Sequence, residues 1–290
     1  MECFSPITIP NKKAGLYGQF KTLQVPCGKC PACQQTRRKL WFFRLKVESD
    51  HCVCSYCVTL TYNDLDVPDY VPFEDKFLYH PIKYSDLQLF NKRLRKRLGP
   101  FRFFAVCEYG SKGLRPHFHV CYFYDRPVSE FDFHNAVFDL WFPQTRITID
   151  TTNDRACNYI LKYCLRPSGE EVPQEFRPKI VCSTKPYIGS GFLQDPRVVA
   201  DFKDTLRDYS NYLGYFQRLP RIYRYKIFDD NDRFFISQNL KDLVYERKLD
   251  QDKKDHDYMV HHPGCEIPSV MRRDQFRKHI EKCAKLKSIK

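Results

Sequence analysis

The stretch from Phe101 to Tyr124 constrains this chain more than any other. Phe101–Tyr109 and His117–Tyr124 are rich in aromatic and β-branched residues, and Gly110 to Pro116 between them is dense in turn formers. That pattern predicts two long antiparallel strands joined as a hairpin, which needs further strands and a covering layer to be stable. Side chains alternate along a strand, so His117 and His119 share one face while Phe118 points to the other. The hairpin sets Glu108 beside the histidines. Two imidazoles and a carboxylate form a set that can ligate a divalent cation.

A second constellation follows about forty residues later. In Ala156 to Arg166 the apolar residues Cys157, Ile160, Leu161, Cys164 and Leu165 form one helical stripe. Tyr159, Lys162, Tyr163 and Arg166 follow the i, i+3, i+4, i+7 spacing of the opposite face. The two phenols are thus one turn apart on the same side, flanked by cations. An unperturbed tyrosine has a pKa of about 10 and needs nearby positive charge to act as a nucleophile at neutral pH. A metal site with such tyrosines suggests cleavage of DNA through a phosphotyrosine.

The remaining pattern predicts an α+β fold, a central antiparallel β-sheet flanked by helices, with an N-terminal cysteine knuckle and a basic C-terminal helix. Thr36 to Glu48 reads as a basic helix and Cys54 to Tyr62 as a strand. Ser85-Asp-Leu-Gln88 has a capping-box pattern, and Leu87, Phe90, Leu94 and Leu98 form an apolar stripe that Gly99-Pro100 ends. The outer face of that helix carries Lys92, Arg93, Arg95, Lys96 and Arg97. Phe133 to Phe142 is expected as a helix, Arg146 to Thr152 as a strand, Arg155 to Arg166 as the tyrosine helix and Pro167 to Pro196 as an irregular loop. Val198 to Phe216 reads as a helix and Leu219 to Tyr225 as an extended basic segment. Beyond residue 228 the sequence turns acidic and polar before a terminal helix edged by Phe276, Ile280, Cys283 and Leu286. The expected organisation is 1–50 as knuckle and basic helix, 51–225 as the main domain and 226–290 as an extension.

A formal net charge of +13 over 290 residues favours a polyanionic partner. The charge is clustered, and the last twenty residues carry eight Lys or Arg against Asp274 and Glu281. Such patches neutralise phosphates and release counterions. Aromatics, at 16% of residues, can fill a core and leave a few to stack on unpaired bases. No stretch approaches the roughly twenty apolar residues needed to cross a bilayer, and no secretion signal is evident. No membrane role is expected, and the place of action is the cytosol.

Fourteen cysteines without an export signal point to reduced thiols or metal ligation. Cys27-x-x-Cys30-x-x-Cys33 suits a tetrahedral thiolate site short of one ligand. Cys3 is the best candidate for the fourth, with Cys52, Cys54 and Cys57 as rivals. Structural Zn²⁺ and free thiols both fit this spacing.

Glu108-Tyr-Gly, Arg115-Pro-His117-Phe-His119 and Tyr159-x-x-Lys162-Tyr163 together resemble the HUH endonucleases, within them the two-tyrosine rolling-circle initiators, and most closely the replication proteins of gokushovirus-type microviruses. The resemblance spans roughly residues 1 to 225, including Cys3 and the Cys27–Cys33 run. It implies His117, His119 and Glu108 as metal ligands, Tyr159 and Tyr163 as nucleophiles and Lys162 as their electrostatic partner. Lys112, Arg115 and Arg166 would join the basic run of 92–97 in holding DNA. Ligand softness alone favours zinc or another transition metal at a two-histidine site, whereas the resemblance implies Mg²⁺ or Mn²⁺. It also implies action in a host bacterial cytoplasm with host helicase and DNA polymerase as partners. No Gly-x-x-x-x-Gly-Lys-Ser/Thr segment supplies a helicase motor in this sequence. The rival classes are a single-tyrosine relaxase or transposase and a non-catalytic zinc-containing nucleic-acid-binding protein.

Overall fold

In the computed structural model, the residues described are 3–11, 21–63, 67–68, 71–73, 77–110, 115–141, 147–151, 157, 160–161, 179–266, 268, 270–271, 274–275 and 278. They divide into two compact units, Arg38–Pro196 and the remainder, Met1–Arg37 with Arg197–Lys290.

The first of these units is built on a five-stranded antiparallel sheet. Its strands are β3 (Cys54–Thr61), β6 (Arg102–Tyr109), β7 (Pro116–Tyr124), β8 (Ile147–Thr151) and β9 (Ile180–Cys182), in the order β8-β3-β7-β6-β9. A separate small pair, β4 (Val71–Phe73) and β5 (Phe77–Tyr79), precedes the helix α2 (Tyr84–Leu98). Strand alternation sorts the side chains to two faces. Tyr56, Val58, Leu60, Ala105, Cys107, Phe118, Val120, Tyr122 and Tyr124 meet Leu87, Phe90, Leu94 and Leu98 of α2 in one core. Phe133, Ala136 and Val137 of α3 (Glu130–Leu140) join it, followed by Trp141. The buried phenols find partners, as their hydroxyls require: Tyr122 donates to Asn91 Oδ1 at 2.7 Å, Tyr62 to Asp86 Oδ2 at 2.9 Å and Tyr56 to the Val128 carbonyl at 2.6 Å. On the opposite face Cys57, Phe104, Val106, Cys121 and Phe123 pack with Leu45 of α1 (Pro31–His51), with Ile188 and with Cys157, Ile160 and Leu161.

Glu48 ties this second layer together. It is 1% exposed, pairs with Arg102 and accepts the Gly189 amide at 2.5 Å. Arg102 in turn makes two bonds to Asp125, at 2.7 and 2.8 Å.

The other unit holds a hairpin of β1 (Ile7–Pro10) and β2 (Thr22–Val25), then α4 (Pro196–Thr205), a short hairpin of β10 (Tyr209–Ser210) and β11 (Gln217–Arg218), α5 (Arg221–Ile227) and α6 (Asp230–His261).

Several local expectations are corrected. The capping box at Ser85 does not form; Lys83 is the N-cap residue, without a side-chain bond. Tyr84, packed edge-on to Phe118 at 6.0 Å, is already helical, which carries Ser85 inside the first turn. The stretch 167–196 is not wholly irregular, since β9 pairs with β6 and Ser190–Leu193 forms a 3-10 turn that buries Phe192 against Phe43. The helix expected to reach Phe216 stops at Thr205. There Leu206 takes φ of 48°, and buried Asp208 accepts a bond from Arg218 Nε at 2.5 Å across the hairpin. The segment expected to be extended is α5, because Tyr223 and Ile227, four apart, bury one helical face. The polar stretch after 228 is the long helix α6, opened by a reciprocal capping box between Asp229 and Asp232. Phe276, Ile280, Cys283 and Leu286 lie outside the described residues.

Candidate functional site

Register places the histidines. Glu108 pairs with His117 and Val106 with His119 between β6 and β7, while Thr61 and Thr59 of β3 stand opposite the same two histidines. Residues directly opposite share a face, so Glu108, His117, His119, Thr59 and Thr61 line the face that also carries Phe104 and Cys121. The next row towards the sheet's interior is apolar: Phe104, Cys121 and Cys57. The polar residues therefore sit where that core gives way to the hairpin end.

His119 is 4% exposed; its Nδ1 shares a 3.0 Å hydrogen bond with Thr59 Oγ1, and its Nε2 lies 3.6 Å from Glu108 Oε1. The Thr59 bond fixes the ring so that Nε2 is the atom turned to the carboxylate. Glu108 Oε2 and His117 Nδ1 are buried and make no hydrogen bond. Burial holds the His117 imidazole below its usual pKa, against the opposing pull of Glu108. A neutral imidazole is the form that donates a lone pair to a metal. The two rings are 6.5 Å apart between centres and nearly perpendicular. Gly110 lets the His117 ring lie where it does, since a Cβ there would stand 2.8 Å from His117 Nε2. The donor set fits a divalent cation in kind: two imidazoles and a carboxylate, two of whose buried atoms lack a bond.

Thr59 and Gly110 were not among the candidates read from the sequence. The signal for Thr59 is its place in the β3–β7 register, which needs pairing between strands some sixty residues apart. Gly110 sits in plain view at the start of the turn, but its role appears only when His117 is seen over it.

The other candidates divide. Arg115 donates to the Tyr62 carbonyl at 3.1 Å and so braces the end of β3, while Lys112 lies outside the described residues. Tyr159, Lys162, Tyr163 and Arg166 also lie outside them, but Cys157, Ile160 and Leu161 of the same segment are helical and buried on the histidine face of the sheet. The basic run on α2 belongs to the opposite layer. Lys92, Arg93 and Lys96 are exposed, whereas Arg95 lies over the Phe101 ring at 4.4 Å and Arg97 pairs with Asp139 at 2.6 Å. The structure does not bring this run to the histidines.

A second cluster lies in the other unit. The Sγ atoms of Cys3, Cys27, Cys30 and Cys33 all lie within 4.8 Å of one another, a group that can hold a metal such as zinc. The Cys27 thiol is lowered to about 6, chiefly by the backbone amides of Cys30 and Lys29. Of the three rivals for the fourth position, Cys54 and Cys57 belong to β3 and Cys52 directly precedes it. No helix among the described residues is long and apolar enough to cross a membrane.

Comparison with known proteins bears on the sheet unit. Residues 55–168 match the family described as replication-associated protein ORF2. The replication-associated protein ORF2 of Spiroplasma virus 4 is 29% identical over 150 residues, 42% of this chain and 44% of its own length. The replication-associated protein VP4 of Bdellovibrio phage phiMH2K is 25% identical over 224 residues, 67% of this chain and 68% of its own. The replication-associated protein ORF4 of Chlamydia phage 1 is 29% identical over 121 residues, 39% and 28% respectively. The match thus spans less than half of the Spiroplasma virus protein. Over residues 55–168, which contain Glu108, His117, His119 and both candidate tyrosines, the chain belongs with the microvirus-type replication-associated proteins of the ORF2 family.

Proposed function

We propose that this chain initiates rolling-circle DNA replication, cutting the origin strand with a tyrosine and later rejoining it to release circular single-stranded DNA. The observation that best supports the reading is the pair of buried atoms without hydrogen bonds, Glu108 Oε2 and His117 Nδ1, on the face where Cys157, Ile160 and Leu161 pack. Buried polar atoms without partners cost free energy, so keeping two of them together suits a site completed on binding. His117, His119 and Glu108 would hold Mg²⁺ or Mn²⁺, which when bound polarises the scissile phosphate and offsets charge on its oxygens. Gly110 leaves the His117 ring room to turn toward its neighbour as the ligands close.

The tyrosines do the covalent chemistry. Tyr159 or Tyr163 attacks the phosphorus, the bond from phosphorus to the 3′ oxygen breaks, and that oxygen leaves as a hydroxyl, taking in net the proton lost by the phenol. The 5′ end stays on the tyrosine and the free 3′-hydroxyl primes a host polymerase, with a host helicase opening the duplex. After one circuit the second tyrosine cuts the regenerated origin. The new 3′-hydroxyl then attacks the first phosphotyrosine, which closes the circle and restores the phenol. Lys162 stabilises the phenolate or the leaving oxygen, and Lys112, Arg115 and Arg166 hold flanking phosphates.

The test is a denaturing gel of labelled single-stranded oligonucleotides, tiled over the viral strand that encodes the chain, incubated with protein and Mn²⁺ or Mg²⁺. A covalent adduct that needs the metal, is lost in His117→Ala/His119→Ala and in Tyr159→Phe/Tyr163→Phe, and persists in one single tyrosine variant is expected. If one tyrosine variant cleaves and joins as well as wild type, a single-tyrosine nuclease is the better account. Absence of any adduct on an oligonucleotide the protein binds would leave a non-catalytic nucleic-acid-binding role, for which the cysteine cluster is the favouring observation.

A further inference from the structure

The function proposed above makes no use of the four clustered cysteines. We infer that Cys3, Cys27, Cys30 and Cys33 form a mononuclear tetrathiolate zinc site that staples the N-terminal hairpin to the first turn of α1.

Spacing identifies the metal class. Zinc holds thiolates at about 2.3 Å, so the edge of a regular tetrahedron of sulfurs is about 3.8 Å. The Sγ atoms of Cys3 and Cys30 are 3.8 Å apart, and all four lie within 4.8 Å of one another. A disulfide requires about 2.05 Å, and none of these cysteines is bridged. The sequence spacing Cys-x-x-Cys-x-x-Cys also occurs in four-iron clusters, but there each thiolate binds its own iron, so the sulfurs surround the cluster rather than converge on one point. Convergence favours a single ion.

The backbone is already arranged for thiolates. The Cys27 amide donates to Cys3 Sγ at 3.2 Å and the Cys30 amide to Cys27 Sγ at 3.3 Å. Gly28, at φ of 75°, turns the chain between these two cysteines through the left-handed region that favours glycine. Cys33 lies in the first turn of α1, where amides without helical partners favour negative charge. Each thiol that ligates zinc gives up its proton to solvent.

The hairpin explains why a staple is needed. Every residue of β1 and all but Val25 of β2 are exposed, with Ile7 at 50% and Leu23 at 39%. An isolated two-stranded hairpin is marginal in water, and segments too small to build a core rely on metals or disulfides. The cluster supplies the anchor that apolar burial does not.

The experiment uses the full chain purified in reducing buffer without added metal, then dialysed. Elemental analysis should find about one zinc per chain, retained when dissociable Mg²⁺ or Mn²⁺ is lost. Exchange for Co²⁺ should give the thiolate charge-transfer band and visible bands of a four-sulfur tetrahedral site, a readout that needs no variant. Cys3→Ser and Cys30→Ser should each alter that spectrum, and Cys265→Ser should leave it unchanged. The inference is overturned by metal-free protein with alkylatable thiols, by iron with acid-labile sulfide, or by a wild-type cobalt spectrum in Cys3→Ser. No DNA is involved, so the outcome is independent of whether the chain cuts DNA.

Discussion

At the scale of single residues, the site depends on two side chains that do no chemistry. Thr59 holds Nδ1 of His119, and partners of this kind orient a ligand and tune its basicity. Thr59→Val keeps the shape of the strand and removes the bond. Binding of Mn²⁺, followed by calorimetry, should weaken by about 10-fold; an unchanged affinity would show that the hydroxyl is not orienting the ring. Gly110→Ala places a methyl 2.8 Å from His117 Nε2 and must displace the ring. Metal-dependent cleavage should fall by roughly 100-fold, the scale at which misplacing a reacting group by an ångström is felt, while the unfolding midpoint changes little. The sign of the pH effect follows from burial of His117. Its folded pKa is lowered, so the folded chain resists a proton that the unfolded chain accepts. The stability associated with the neutral ring is whole above about pH 6.5 and declines as pH falls below that toward the folded pKa. Comparing urea unfolding of wild type and His117→Asn at pH 5 and 7.5 checks this, because only wild type should lose the increment on acidification.

At the scale of elements, what the sequence made legible is what periodicity can carry. The alternation of β3, β6 and β7 and the stripe on α2 place the sheet, its core and the shared face of His117 and His119, and each appears within a few residues of its expected bounds. Elements without a period were invisible. The edge strand β9 has three residues and is defined by pairing with β6 alone. The helix α6 has no sustained apolar stripe; its capping box and bonds such as Lys254 to Asp250 support a largely exposed rod. The second layer of the core was equally hidden, because Glu48 reads as a surface residue of an amphipathic helix. Buried and paired to Arg102 and to the Gly189 amide, it joins three stretches far apart in sequence. Truncating one member of a buried charged pair costs about 3 to 5 kcal/mol. Arg102 keeps Asp125, so Glu48→Ala should fall at the low end, near 3 kcal/mol by urea denaturation. A loss below about 1 kcal/mol would mean water replaces the carboxylate and the pair is not structural.

For the molecule as a whole, a charge of +13 predicts affinity for DNA but not where the DNA lies. The densest run sits on α2, whose apolar stripe packs on the sheet face opposite to that of His117 and His119. It also does not act as a unit. Arg95 is stacked on Phe101, and Arg97 is held by Asp139 in a half-exposed pair worth under about 1 kcal/mol. That leaves Lys92, Arg93 and Lys96 as the exposed members. Single-stranded DNA releases about 0.7 counterion per neutralised phosphate. If those three cations contact the backbone, Lys92→Gln/Arg93→Gln/Lys96→Gln should flatten the dependence of log affinity on log salt by about 2. Arg97→Gln should leave that slope close to wild type. The sheet separates these residues from the reacting phosphate, so single-turnover cleavage at saturating DNA should be unchanged in the triple variant. Titrating the salt dependence by fluorescence anisotropy and measuring the saturated rate on the same variant distinguishes three arrangements. A flattened slope with an intact rate places α2 on the path of the bound strand but away from the chemistry. A rate that falls along with affinity would place the run at the scissile phosphate, contrary to its position behind the sheet. An unchanged slope would make the run a solvated face, and the counterions released on binding would then have to come from Arg115, the tyrosine segment and the basic C-terminal residues.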